Sequence, residues 1–409
     1  MPSIRRRAFL SIAAVSGVAG CTDLLRRSST DEDTSPANRR VSASFGPESG
    51  EWIRSTRSFD NDIVSPTARP PQDEPNERWS ARDRGSVSDI AVADGVVFAG
   101  GHRGIEARRL EDGDRRWDDD DENVVFVAAI DGRCYVANRE ALVARDAETG
   151  DVVWRHELAD NSRLRSFLEV DGTVYYTADG ALHGVHADTG DRRWTVDGEA
   201  REGTLALADG TLHWTTVQTH RLFEPKGASR PAERSAIPLD GYDSRIRPSE
   251  PAVVDGTIAL GGFDEDFRHG APVRCLSSRG TIWSRPFEPY VPTPATVGNR
   301  LLATGYDNRS GGLDESTVAS FDLETGDLHW ETTVPEPAGP PAVADGVIYT
   351  GGGHPGESAS EAGSLFALEV ETGDVRWELE TDGARAGHAL ALVDDVIVLG
   401  TRGGVVVLE

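Results

Sequence analysis

Apolar and polar positions alternate along most of this chain, and two short turns interrupt the alternation at regular intervals. From about residue 88 an apolar strand ends in a tight turn eight times: "IAVADG" (90–95), "VAAIDG" (127–132), "FLEVDG" (167–172), "LALADG" (205–210), "PAVVDG" (251–256), "PATVGN" (294–299), "PAVADG" (341–346) and "LALVDD" (390–395). The turn residues at 94, 131, 171, 209, 255, 298, 345 and 394 are spaced by 37 to 49 residues. Asp-Gly suits a two-residue hairpin because Gly accepts positive φ. A β-branched strand follows, such as "TVYYTA" (173–178), then a loop, then a third strand such as "LVARDAE" (142–148). The chain next turns at Thr-Gly and leaves on a short strand carrying a tryptophan: "TGDVVW" (149–154), "TGDRRW" (189–194), "TGDLHW" (325–330), "TGDVRW" (372–377). Period-2 patterning with almost no helical spacing marks each unit as four antiparallel strands. Eight such units predict an all-β fold: an eight-bladed β-propeller of four-stranded antiparallel blades.

The recurring tryptophan has a structural reading. Gly150 permits the turn, Thr149 can hydrogen-bond its own backbone, and an indole on the outermost strand covers the seam between neighbouring sheets. Repetition in nearly every unit is what packing needs and a single ligand site does not. The expected docking residues are Trp117, Trp154, Trp194, Trp283, Trp330 and Trp377, with no counterpart in blade 4 at "EPKGASR" (224–230). The last unit stops at "VVVLE" (405–409), before any tryptophan strand, whereas "NERWSAR" (76–82) supplies an orphan one around Trp79. That N-terminal strand is expected to complete the last blade and remove an open sheet edge. Upstream, "EWIRSTRSFDND" (51–62) reads as a lead-in within 50–75 that Trp52 pins against the ring.

"ARDAETGDVVW" (144–154) resembles the tryptophan-docking motif of quinoprotein-type (PQQ-like) repeats, A-x-D-x-x-T-G-x-x-x-W, at Ala144, Asp146, Thr149, Gly150 and Trp154. "SFDLETGDLHW" (320–330) and "ALEVETGDVRW" (367–377) match with Ser320 for Ala and Glu369 for Asp; blade 1 has Asp112 in place of Thr. The likeness covers about residues 79–409 and implies one of two roles. One is a non-catalytic propeller similar in architecture to the lipoprotein that assists outer-membrane protein assembly. The other is a dehydrogenase using pyrroloquinoline quinone and calcium. That enzyme family's adjacent cysteine pair is absent here, since Cys21, Cys134 and Cys275 stand far apart. No calcium ligand set or catalytic aspartate of that family can be matched. The reading adopted is therefore no enzyme, no cofactor and no metal.

Charge adds a partner class to the exclusions. The formal net charge is −27, from 69 acidic and 42 basic residues, and Lys226 is the single lysine. Such a surface argues against nucleic acid, which needs a basic face. It stays hydrated in concentrated salt, where the Debye length is ~3 Å at 1 M, so the chain is expected to be of halophilic archaeal type. The N-terminus, "MPSIRRRAFLSIAAVSGVAGC" (1–21), resembles a twin-arginine lipoprotein signal. Arg6 and Arg7 would be the export signal and Cys21 the lipid anchor, placing the protein on the outer face of the cell membrane. Residues 22–49 are rich in Ser, Thr, Asp, Pro and Arg and read as a disordered tether; 50–409 is then the propeller with its lead-in.

The Asp-Gly and Thr-Gly turns must share one face of the disc, and the loops between second and third strands the other. These loops are short in blades 1 to 3. In blades 5 to 7 they are long: "FDEDFRHGAP" (263–272), "YDNRSGGLDES" (306–316) and "GGHPGESASEAG" (352–363), beside a long exit from blade 4 (230–250). Long loops on a rigid scaffold suit recognition. Asp264, Arg268, Asp307, Arg309 and His354 are the candidate binding residues for an unknown protein or small molecule. Carboxylates and carbonyls in "DEDFRHG" and "YDNRSGGLDES" could suit a cation, but neither follows an EF-hand spacing. "GGGHPG" (351–356) opens no helix and lacks the lysine of a phosphate loop. "HGVH" (183–186) points its two histidines to opposite faces of a strand.

Overall fold

A computed structural model of the chain describes residues 50–409 apart from 55, 62, 121–122, 160–161, 163, 199–202, 240–245, 265–271, 288–290, 307–314, 336–337, 353–362 and 382–388. Arg6, Arg7, Cys21 and the tether at 22–49 lie outside the described residues. The described chain is all-β, with eight four-stranded antiparallel blades in a propeller ring.

Blade 2 shows how the sequence makes a blade. Its strands are Phe126–Ile130, Arg133–Ala137, Ala141–Asp146 and Val152–Glu157, paired in that order. Asp131 and Gly132 both take positive φ, 48° and 74°, the geometry of a type I′ hairpin. Ala147 N donates to Gly132 O at 3.0 Å, so the Thr-Gly turn is tied to the Asp-Gly turn on the same face. Asp146 Oδ1 accepts from the amides of Glu148 and Thr149, and Thr149 Oγ1 accepts from Asp151 N at 3.2 Å. The three inner strands are buried, while Val152 and Val153 on the outermost strand face solvent.

The eighth blade joins the two chain ends. Glu77–Ala81 pairs with Val405–Leu408, placing Trp79 opposite Val407. Asn76 and Glu409 exchange both backbone hydrogen bonds at 2.9 Å. Two additions lie outside the repeat grammar. Val64–Ser65 runs parallel to the innermost strand of blade 7, Ala342–Ala344, and makes that sheet five-stranded. Ile246–Pro248, in the exit from blade 4, pairs with Gly262–Asp264 beside blade 5.

The lead-in crosses the centre of the ring. The innermost strand of each blade has a free edge there, and buried amides require acceptors. Val92, Ala129, Leu207, Val253 and Val343 donate to the carbonyls of Trp52, Ile53, Phe59, Asp60 and Ile63 respectively, at 2.6–2.9 Å. Each donor stands two residues before its blade's turn aspartate, so the lead-in follows one register around blades 1, 2, 4, 5 and 7 at the turn end of the channel. Trp52, Phe59 and Ile63 are buried there.

Candidate functional site

The polar centre of the ring is built on Arg54 of the lead-in. Its Nη2 donates to Glu250 Oε1 at 2.9 Å, and Ser166 Oγ donates to the same oxygen at 3.1 Å. Asp89, buried in blade 1, accepts from Ile90 N at 2.9 Å and from Val127 N at 2.7 Å. Burial pushes the Asp89 carboxyl well above the usual carboxylate range, against the pull of those amides and of Arg54. Asp89 and Glu250 belong to blades half a turn apart, so one arginine balances acids from opposite sides of the channel. Asn61 adds a second clasp, donating through Nδ2 to Leu205 O and Pro251 O at 2.9 Å. These residues escaped the sequence reading, although a signal existed. Five residues before each turn aspartate or its equivalent, blades 1 and 5 carry Asp89 and Glu250, where the others carry Phe126, Ser166, Thr204, Thr293, Pro340 and Ala389.

The fit of a calcium–quinone pair can be tested on these groups. Both oxygens of Asp89 are taken by backbone amides, and Glu250 is held by Arg54 and Ser166. Among the described residues no three His, Cys, Asp or Glu side chains come together in a way that could hold a metal ion. The described residues therefore do not fit that pair, and no redox step is derived from them. Nor do the thiols offer a nucleophile: Cys134 and Cys275 are buried and unpaired, with pKa values pushed up by desolvation to about 12 and about 11.

The tryptophans occupy the seams. The indole Nε1 of Trp79 donates to Leu110 O at 2.8 Å, Trp117 to Ala147 O at 3.0 Å, and Trp154 to Ala187 O at 2.6 Å. Trp283 bonds Leu323 O at 2.8 Å and Trp330 bonds Val370 O at 3.0 Å. Each acceptor lies in the next blade. The turn glycine of that blade sits beneath the ring, and a Cβ on Gly113, Gly150, Gly190, Gly326 or Gly373 would come within 2.4–2.7 Å of it. Trp194 and Trp377 find no partner for Nε1. Blade 4, which follows Trp194, and blade 8, which follows Trp377, have no Thr-Gly turn. Blade 4 instead buries Trp214 on its second strand under Arg221, whose guanidinium lies 4.9 Å from the ring centre.

At the seam between blades 4 and 5, which lacks a docking tryptophan, two buried histidines meet. His213 Nδ1 lies 2.9 Å from His220 Nε2, and Thr215 Oγ1 lies 2.8 Å from His220 Nδ1. Desolvation lowers His213 to about 4 and His220 well below the usual histidine value, so both are neutral. In "HGVH", His183 is buried against Tyr176 and His186 is half-exposed on the other face.

Of the candidate loop residues, Asp264 ends the strand Gly262–Asp264 opposite Ile246. Arg268, Asp307, Arg309 and His354 lie outside the described residues. The second strands of blades 5 to 7 end on the face opposite the turns.

The chain matches no curated protein in sequence. Among solved structures it is similar to BamB from Moraxella catarrhalis, at 16% identity and a TM-score of 0.63, covering 82% of this chain and 99% of that one. It is similar to the quinohemoprotein alcohol dehydrogenase ADHIIG from Pseudomonas putida HK5, at 13% identity and TM-score 0.63, covering 88% and 80%. The computationally designed Ika8 protein aligns at 15% identity and TM-score 0.61, covering 85% and 98%. Identities this low establish the propeller fold alone. The family model PQQ_2, described as "Outer membrane protein assembly factor BamB", matches residues 120–220 and 270–409. Since that match spans more than half of the chain and falls on the blades just described, the chain belongs to the PQQ_2 family of repeat propellers.

Proposed function

We propose that this protein is a non-catalytic scaffold, tethered by a lipid on Cys21 to the outer face of the cell membrane after twin-arginine export, that docks a partner through the long loops of blades 4–7. The observation that carries the reading is the occupancy of the ring's centre by the chain's own lead-in. Its carbonyls cap five inner strands, and Arg54 and Asn61 satisfy the polar groups around it. The centre is thereby spent on holding the blades, and chemistry is left to the rim. Length there is concentrated in neighbouring blades, where it builds one contiguous sector. The similarity to BamB supports a scaffold, and the acidic surface supports work in concentrated salt by a halophilic archaeal chain.

The test uses the full chain isolated from its native membrane in molar salt. Crosslinked partners are compared between the natural protein and variants with 263–272 or 306–316 shortened to the loop lengths of blades 1–3. Loss of a specific crosslinked partner at unchanged thermal stability supports the reading; an unchanged partner set overturns it. Mass spectrometry of the N-terminus should find an acylated Cys21, and Cys21→Ser should release the protein from the membrane. The alternative, a dehydrogenase using pyrroloquinoline quinone and calcium, predicts quinone absorbance and dye reduction after reconstitution with both. Their appearance would displace the scaffold reading.

A further inference from the structure

On the turn face, opposite the long loops, a cleft of about 320 Å³ lies between blades 1 and 2. Its floor is apolar: Val96 and Phe98 from blade 1, Ala129 and Ile130 from blade 2. Asp94, from the hairpin of blade 1, and Glu148, from the Thr-Gly turn of blade 2, stand at its walls. Both are exposed, and neither has a partner among the described residues. The side chain of Arg133 leaves this cleft for blade 3, where its Nη2 lies 3.6 Å from Asp188 Oδ1. Arg116, on the outermost strand of blade 1, lines the cleft and pairs with no acid among the described residues, so two carboxylates face a single cation there.

The repeat shows what such a space holds. The first residue after the hairpin turn is Arg133 in blade 2 and Arg300 in blade 6, and the residue before Thr-Gly in the following blade is Asp188 or Glu371. At both seams the guanidinium crosses to the acid, Arg133 to Asp188 and Arg300 to Glu371. Between blades 5 and 6, where these positions are Thr257 and Glu324, Arg285 of the outermost strand instead bonds the turn carbonyls of Thr325 and Gly326 at 2.8 Å. Between blades 1 and 2 the positions are Val96 and Glu148. The acid is kept, and the residue that would cross to it is apolar. The second acid has a precedent of its own. Asp345 is to blade 7 what Asp94 is to blade 1, and its Oδ1 lies 3.6 Å from Nε of Arg69 in the lead-in. The same segment passes over Tyr349, the counterpart of Phe98, whose hydroxyl donates to Pro71 O at 3.0 Å. At one seam, then, a segment from outside the repeat already brings an arginine to this position.

An arginine side chain suits the cleft at both ends. Its methylenes can lie along apolar surface while the charged head stays at the rim. Its planar fork carries five donors, enough to serve two carboxylates at once.

We propose that the cleft between blades 1 and 2 docks an arginine side chain from an extended segment of a partner protein, with its methylenes on Val96 and Phe98 and its guanidinium on Glu148 and Asp94. Charge complementarity selects a basic segment, and the apolar floor selects a cation on a long aliphatic stem.

Calorimetric titration of the full chain with the capped peptide Gly-Arg-Gly, and with the same peptide carrying the neutral isostere citrulline, tests it. The arginine peptide should bind at least roughly tenfold more tightly, the usual value of a charge-assisted bond. Glu148→Gln should weaken it by a similar factor at unchanged melting temperature. Glu140→Gln, which removes the same charge from the opposite face, should leave it unaltered. Arg116→Gln, which removes the competing cation, should tighten it. Val96→Arg supplies in this blade the residue that blades 2 and 6 carry, and should fill the cleft and abolish binding. Equal affinity for the arginine and citrulline peptides overturns the proposal, as does an equal loss in Glu140→Gln and Glu148→Gln, which would mean attraction to the acidic surface at large. Undiminished binding by Val96→Arg, or no binding to the natural chain at millimolar peptide, overturns it too. Self-association of the natural chain that Val96→Arg abolishes, read by sedimentation, would assign the cleft to a second copy and overturn the partner reading.

Discussion

The seam between blades 1 and 2 allows the tryptophan dock to be weighed with a built-in control. Gly132 and Gly150 both lie in blade 2 and both have positive φ, 74° and 80°. A Cβ on Gly132 would meet nothing within 4 Å, whereas one on Gly150 would meet Trp117 Cδ2 at 2.7 Å and Cε3 at 2.8 Å. Replacing either by Ala incurs the left-handed backbone penalty of about 1–2 kcal/mol. Gly150→Ala must also displace the indole, for which overpacking costs about 1–3 kcal/mol. The displacement further strains the 3.0 Å bond from Trp117 Nε1 to Ala147 O, for which about 1 kcal/mol is typical. Gly132→Ala should therefore lose ~1–2 kcal/mol and Gly150→Ala ~3–6 kcal/mol. With an unfolding entropy of ~2.1 cal/mol/K per residue over about 360 residues, the melting temperature should fall by roughly 1–3 °C and 4–8 °C respectively. Differential scanning calorimetry of both variants, repeated with Trp117→Leu in each, measures the coupling. In the Trp117→Leu background the cost of Gly150→Ala should shrink to that of Gly132→Ala. Equal losses in the natural background, or a Gly150→Ala cost indifferent to residue 117, would refute the packing argument.

Three further outcomes follow from the same contacts. Trp330→Phe should cost about 1 kcal/mol more than Trp377→Phe, because only Trp330 has an acceptor for its indole N–H; chemical denaturation of the two variants reads the difference. Arg54→Met leaves Glu250 half-sequestered without its cation and should cost about 3 kcal/mol, part of which Glu250→Gln in the same chain restores. His213 has a folded pKa of about 4 against about 6.5 unfolded. The unfolded chain then binds more protons, so this contribution is complete above pH 6.5 and is lost as the pH falls towards 4, by about 3 kcal/mol. The stability difference between the natural protein and His213→Gln should accordingly shift by that amount between pH 7 and 4, and a pH-independent difference would contradict it.

How much the sequence determined is clearest in the repeat. Asp-Gly and Thr-Gly turns act within a few residues, because positive φ and side-chain bonds to neighbouring amides are local properties. Period-2 burial is equally local. Together they specified four strands per unit, eight units, and the pairing of the strand around Trp79 with the chain's end, since an unpaired edge on each side leaves one solution. The glycine beneath each indole was legible only as a turn former. That it also makes room for a ring from the preceding blade emerges when two blades are set side by side. The path of the lead-in was decided by tertiary structure alone. Residues 50–65 show no strong period, and their partners, the amides of Val92, Ala129, Leu207, Val253 and Val343, come into one circle only when the ring has closed. The same holds for Asp89 and Glu250, about 160 residues apart in sequence. A repeat written into the chain fixes what each blade is. Charges brought together from different blades depend on the rotation that relates those blades, and no local pattern encodes it.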